Sequence, residues 1–167
     1  KEDRGTRKGF MSILTFMSQN FENNREAVDK QANAVANAVV SRLTAAPETA
    51  NVNSKTVQEG ISSLLAREDK KHGGFATSPK FPMPIYIDFL MVTGWDIPQV
   101  RKAVKKALDG MLLGGMYDQV GGGFHRYSTD EKWLVPHFEK MLYDNGQLLS
   151  TYARAYELTE DETYANF

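Results

Sequence analysis

The chain has 167 residues, 41% of them hydrophobic and 25% charged, the composition of an ordinary globular protein long enough to bury a core. A balance of 20 basic against 21 acidic residues leaves a net charge of −1, so no overall field draws the chain to nucleic acid or to an anionic membrane. The absence of cysteine excludes disulfides, thiol catalysis and zinc–thiolate sites from this chain. No apolar run approaches the roughly 20 residues of a membrane-spanning helix. The charged start, KEDRGTRKGF, is not followed by a signal-type apolar segment. A cytoplasmic location is therefore the default expectation.

Helical periodicity runs through most of the chain. Phe10, Ile13, Leu14, Met17 and Phe21 define one face of a first short helix, and Val28, Val35, Val39 and Leu43 mark an Ala-rich second helix over about Asn24–Leu43. Thr44–Asn53, small and polar with a proline, reads as a linker. Ser54 is the expected N-cap of a third helix burying Val57, Ile61, Leu64 and Leu65, which His72-Gly73-Gly74 should stop. Pro79, Pro82 and Pro84 keep the following stretch irregular. A fourth helix over about Ile85–Val92 is apolar nearly all round, as a buried element would be. Asp96 should cap a fifth, with Val100, Val104, Ala107, Leu108, Met111 and Leu112 on one side and Gly114-Gly115 at its end.

Met116–Leu134 reads as a long glycine-rich loop that could hold a small β-hairpin. Pro136 suits the first position of a sixth helix. Its expected buried stripe is Phe138, Met141, Leu142, Leu148, Leu149, Tyr152, Ala155 and Tyr156. A seventh element begins at Asp161. Strand signal is sparse, so the expected architecture is all-α: antiparallel helical hairpins joined by polar and glycine-rich loops.

The chemistry concentrates in Gly121–Asp144, GGGFHRYSTDEKWLVPHFEKMLYD, which holds two of the three histidines and one of the two tryptophans. On the expected sixth helix, His137, Lys140 and Asp144 stand at i, i+3 and i+7, within roughly 60° of arc and beside the apolar stripe. Partly desolvated positions of that kind favour charge pairs and shifted pKa values. Plainer readings accompany each residue. His137 could be a surface or capping residue, and Lys140 with Asp144 a solvated i, i+4 pair. Gly121–Gly123 match neither dinucleotide nor P-loop patterns and suit a tight turn. No zinc motif joins His125 and His137, so no metal and no cofactor are expected. Trp133 and Tyr127 could be core, or faces on which a sugar ring stacks. In the loop His72–Pro82, Lys80 either belongs to a stiff crossing or reaches the same site.

Three segments together, HGGFATSPKFPMP, GGMYDQVGGGFHRYSTDEKWLVPHFEKMLYDNGQLL and AYELTEDETYA, resemble the thioredoxin-domain-containing proteins related to spermatogenesis-associated protein 20. The resemblance covers essentially the whole chain. It implies a thioredoxin-like domain, of which residues 1–23 would be the C-terminal end, followed by an (α/α) toroid of the six-hairpin glycosidase type, similar to N-acylglucosamine 2-epimerase. The toroid would open near Asn24 or at Ser54, and residues 24–167 would be its N-terminal part. The cysteine motif of the family would lie in the missing part of the thioredoxin-like domain. The chain is thus expected to be a fragment whose partner is the remainder of a longer protein, with little or no activity by itself. Ala76-Thr77-Ser78, and Gly146 within a helix, depart from the family pattern.

The resemblance places His125, Arg126, Asp130, Trp133, His137, Glu139, Lys140, Asp144 and Lys80 in a central funnel that binds a carbohydrate. Epimerisation would need two acid–base groups, with His125 and His137 the candidates. Hydrolysis would need two carboxyl groups, with Asp130 and Asp144 or Glu139 competing. Tyr127 and Trp133 would supply ring stacking, and Lys80, Arg126, Glu139 and Lys140 substrate contacts. Two alternatives stand beside this reading: a redox or chaperone-type protein with a non-catalytic helical domain, and a helical interaction scaffold that self-associates through exposed apolar faces. No nucleic-acid or membrane partner is expected.

Overall fold

In a computed structural model of the chain, the described residues are 3, 5–45, 52–75 and 77–165. They form six α-helices, a two-stranded ribbon and a single 3-10 turn, so the mostly helical architecture expected from the periodicity is the one adopted. The chain divides into two compact units, Lys1–Asn51 and Val52–Phe167. Among the described residues no helix is long and apolar enough to cross a membrane.

The first unit holds α1 (Phe10–Asn23) and α2 (Arg25–Thr44), separated by Asn24, whose N–H closes α1 on the Asn20 carbonyl at 2.9 Å. The expected apolar face of α1 exists, but this unit does not bury it: Phe10 and Met17 are more than half exposed and Phe21 nearly so. Arg25 covers part of it, its guanidinium 4.1 Å from the Phe21 ring centre. Residues 46–51, within the expected linker, lie outside the described residues.

The second unit contains a core. Its first helix, α3 (Ser54–Ala66), is capped by Asn53 and not by Ser54: the Asn53 carbonyl oxygen accepts the Thr56 N–H at 3.1 Å. Ile61 is buried, with Val57, Leu64 and Leu65 packed at the core's edge. The helix ends well before His72-Gly73-Gly74. The Arg67 and Glu68 N–H groups fall back to i−3 carbonyls, and the Asp69 carboxylate captures the N–H groups of Lys71 and His72 at 2.9 and 3.0 Å.

Met83 in the left-handed region (φ 51°) and Pro84 at the first position start α4 (Pro84–Gly94). Ile87, Leu90 and Met91 are buried, but Ile85 and Val92 are mostly exposed, so α4 is half-buried and not buried all round. Helix α5 (Pro98–Leu113) is preceded by Ile97 at the cap position and makes no side-chain cap bond, so Asp96 is not its cap. Pro98, which has no N–H to satisfy, takes the first position instead. All six apolar residues expected on its buried side are buried, with Ala103 beside them. Each such Leu or Met contributes about 1.5–3 kcal/mol of transfer free energy.

Helix α6 (Leu142–Thr159) turns Leu148, Tyr152 and Ala155 into the core, whereas Leu142 and Leu149 face solvent and Tyr156 is at the margin. The Tyr152 hydroxyl donates to the Leu108 carbonyl at 2.8 Å, tying α6 to α5. α4 packs on both α5 and α6, and α3 on α4 and α5. The element at Asp161 is the 3-10 turn Glu162–Tyr164, with Asp161 accepting the Thr163 N–H at 3.1 Å; residues 166 and 167 lie outside the described residues.

Candidate functional site

The sixth helix does not begin at Pro136. Residues Pro136–His137 form β2, antiparallel to β1 (Tyr127–Ser128), with Tyr127 opposite His137 and Ser128 opposite Pro136. Asp130 accounts for the difference. Its Oδ1 accepts the Lys132 and Leu134 N–H groups at 2.6 and 3.3 Å, and its Oδ2 accepts that of Val135 at 2.6 Å. These bonds fix a tight turn that brings Pro136–His137 back alongside Tyr127–Ser128. Burial works against the Asp130 charge, but the Val135, Lys132 and Leu134 bonds outweigh it and hold its pKa below the ordinary value. His137, Lys140 and Asp144 therefore do not share a helical arc, and Phe138 and Met141 precede α6; Phe138 is mostly exposed.

Gly121–Gly123 make the expected tight turn. Gly122 and Gly123 have φ of 71° and 78°, in the left-handed region that glycine enters without a Cβ clash. Asp118 organises it: Oδ1 accepts the Val120 and Gly121 N–H groups at 3.0 and 2.9 Å, and Oδ2 takes the Lys140 ammonium at 2.5 Å. Lys140 also donates to the Gly122 carbonyl at 2.6 Å. The Gly121 N–H, then Lys140 and the Val120 N–H, hold the Asp118 carboxyl well below the usual carboxylate range. Lys140 is thus paired with Asp118, across 22 residues, and not with Asp144. Asn145 fastens the end of the turn to α6, accepting the Phe124 N–H at 2.7 Å and donating to the Phe124 carbonyl at 3.0 Å.

Above this base lies a face of polar and aromatic groups. The Phe81, Tyr127 and His137 rings form a row, with centres 4.9 Å and then 4.7 Å apart and the last pair stacked. Arg126 lies 3.3 Å from Glu139 Oε2, and His137 Nδ1 lies 3.5 Å from the same oxygen without making a hydrogen bond. His125 is buried against Phe138, ring centres 5.2 Å apart, and its Nδ1 has no partner. Burial, reinforced by the Lys140 charge and opposed by Asp118, pushes the His125 pKa down, so the imidazole is held neutral. Asp144, in the first turn of α6, has a half-buried carboxyl whose Oδ2 is unpartnered; burial raises its pKa against the pull of Arg126.

Lys80 and Trp133 sit beneath this face, both fully buried. The Lys80 backbone pairs with Ser128, extending the ribbon, but its ammonium turns inward to Asp69 Oδ2 at 2.5 Å and the Glu131 carbonyl at 2.8 Å, 4.9 Å from the Trp133 ring centre. Trp133 has φ 63° and packs against Gly74, Gly110 and Gly114. Asp69, Asn145 and Phe81 complete the arrangement and were not legible as site residues. Their partners stand 11, 21 and 46 positions away, and no local motif marks such pairs. Among the described residues no three His, Asp or Glu side chains gather as a metal site would need.

A helical core carrying a ribbon-and-turn platform, faced with histidines, carboxylates and aromatic rings, defines a mostly helical domain with one polar and aromatic face. No family model matches the chain. Human spermatogenesis-associated protein 20 is 36% identical over 179 residues, covering 99% of this chain and 22% of the human protein. The rat protein of that name is 35% identical with the same coverage, and an uncharacterised Caenorhabditis elegans protein is 35% identical over 91% of this chain and 21% of its own length. The chain is therefore related along its whole length to spermatogenesis-associated protein 20, and it spans about a fifth of the length of these relatives.

Proposed function

We propose that the chain is part of a longer protein in which an (α/α) toroid binds or processes a carbohydrate, and that the face bearing His125, Arg126, Tyr127, His137, Glu139, Lys140 and Asp144 lines its ligand site. The observation that carries this reading is Asp144: a half-buried carboxyl with one oxygen unpartnered and its pKa raised, under the influence of Arg126, the chain neighbour of the Tyr127 ring that stacks on His137. A carboxyl that keeps its proton more readily than usual suits a general acid, and aromatic faces suit the apolar side of a sugar. In a hydrolytic reaction Asp144 is the acid and Glu139 the second carboxyl. Asp130 shapes the turn, since both its oxygens are occupied by backbone N–H groups. In an epimerisation the neutral His125 accepts a proton and His137 returns one. Lys80 and Trp133 support the ribbon from below.

The test is a titration of mono- and disaccharides into the full-length protein, read by thermal shift and then by turnover. Binding by the parent, with turnover lost in Asp144→Asn at unchanged melting temperature, is the expected result. No shift with any sugar would sink the proposal. The uncovered apolar face of α1 favours a second reading, a helical interaction scaffold. Association that persists in the full-length protein, and disappears with Phe10→Ser/Met17→Ser, would support that scaffold.

A further inference from the structure

A shallow, open cleft of about 740 Å³ lies against the side of α5 that the core does not use. Lys102, Lys105 and Lys106 line it from α5, Lys71 from the turn after α3, and Lys132 from the Asp130 turn. Five ammonium-bearing side chains from three segments thus meet in one concavity, in a chain whose net charge is −1. Few of these charges are compensated. Lys106 donates to the Lys70 carbonyl, and Lys105 stands 3.8 Å from Asp161. Lys71, Lys102 and Lys132 have no carboxylate within ion-pairing distance among the described residues. Asp109, the acidic side chain on the wall, already accepts the Tyr164 hydroxyl at 2.6 Å.

His72 lies on the same wall, its Nε2 3.8 Å from a Glu131 carboxylate oxygen. A solvated lysine face is ordinarily a convex strip of one helix with carboxylates interleaved at i+4. Here like charges converge from separate segments with few carboxylates between them, an arrangement that an anion completes.

We propose that this cleft binds a small molecule carrying two or more phosphate groups. The depression is shallow and open, which suits a compact ligand held by its charge. No Phe, Tyr or Trp lines it to stack a nucleobase, so the recognition is of charge and phosphate oxygen. The site shares no residue with the carbohydrate face and does not depend on that reading.

The probe is inorganic tripolyphosphate, titrated calorimetrically into the full chain at about 50 mM salt, with sulfate at matched ionic strength as reference. Tripolyphosphate should saturate and sulfate should not. Lys71→Gln/Lys102→Gln/Lys132→Gln, which keeps much of each side-chain stem, should weaken binding by about tenfold or more, as losing even one charge-assisted hydrogen bond would. Its urea midpoint should be unchanged or higher, because repulsion is relieved. Lys55→Gln, at a lysine of α3 that does not line the cleft, should bind as the parent does. Equal binding by the triple variant, equal loss in the control, or no saturable heat would overturn the proposal. ATP binding about tenfold tighter than tripolyphosphate would overturn recognition by charge alone.

Discussion

Asp69→Asn should be the most damaging conservative substitution near the ribbon, and more damaging than Lys80→Met. Lys80 is fully buried, whereas the Asp69 side chain keeps 15% exposure and two backbone N–H bonds, from Lys71 and His72. Removing the carboxylate charge leaves the ammonium with one carbonyl and an indole face, an uncompensated buried charge of the kind that costs about 3–5 kcal/mol. Removing the ammonium leaves a carboxylate that still has donors. Burial raises the Asp69 pKa, but Lys80, His72 and Lys71 together bring it down from 3.8 to about 2, and that shift corresponds to about 2 kcal/mol at neutral pH. Lys80→Met removes only part of that support and should therefore cost less than Asp69→Asn. The double variant should be more stable than Asp69→Asn, because the stranded charge is gone. Urea unfolding followed by circular dichroism measures all four species. Because the folded pKa lies below the unfolded one, the Asp69 contribution is complete above about pH 4 and vanishes as pH falls towards 2. The gap between parent and Asp69→Asn should close over that window. Asp69→Asn within about 0.5 kcal/mol of the parent, or strictly additive costs in the double variant, would refute the reasoning.

Two helical glycines should respond to alanine with opposite signs. A Cβ on Gly146 meets nothing within 4 Å, so Gly146→Ala should stabilise by up to about 1 kcal/mol from helix propensity alone. A Cβ on Gly110 would lie 2.8 Å from Trp133 Cδ1 and 3.0 Å from the His72 carbonyl, so Gly110→Ala should destabilise by about 1–3 kcal/mol; melting temperatures decide both. Proton NMR should find His125 titrating below 6.5, and Lys140→Gln should raise its pKa by removing a nearby positive charge. Since the folded His125 binds its proton less readily than the unfolded chain does, stability should decline as pH falls through 6.5. Tyr152→Phe should cost about 1 kcal/mol, the worth of its bond to Leu108, with no change in helix content; a cost near zero would show that this bond adds no net stability.

The helices were legible in the residue pattern because periodicity is a local property. Where one face had to be apolar over four turns, as in α5, every expected residue is buried. Caps were read less well. Asn53 and Ile97 each stand one position from the residue expected, a difference that a hydroxyl or carboxylate nearby cannot resolve in the sequence. The Gly121–Asp144 segment stands out in the sequence for its density of polar and aromatic groups, but its shape depends on partners far away in the chain. Pro136 fits a helix start as well as an edge strand; Asp130 and the pairing with Tyr127–Ser128 select the strand. Lys140 was within reach of Asp144 on a helix, and the Gly121–Gly123 turn gave it to Asp118 instead. The same holds for Lys80: its charge was visible in the sequence, while its burial against Asp69 and Trp133 was decided by packing. The sequence alone determined most of the helical segments and where polar and aromatic side chains concentrate. Only the tertiary structure decided which of those groups pair with each other and which remain free, because pairing depends on distances between segments that no local pattern encodes.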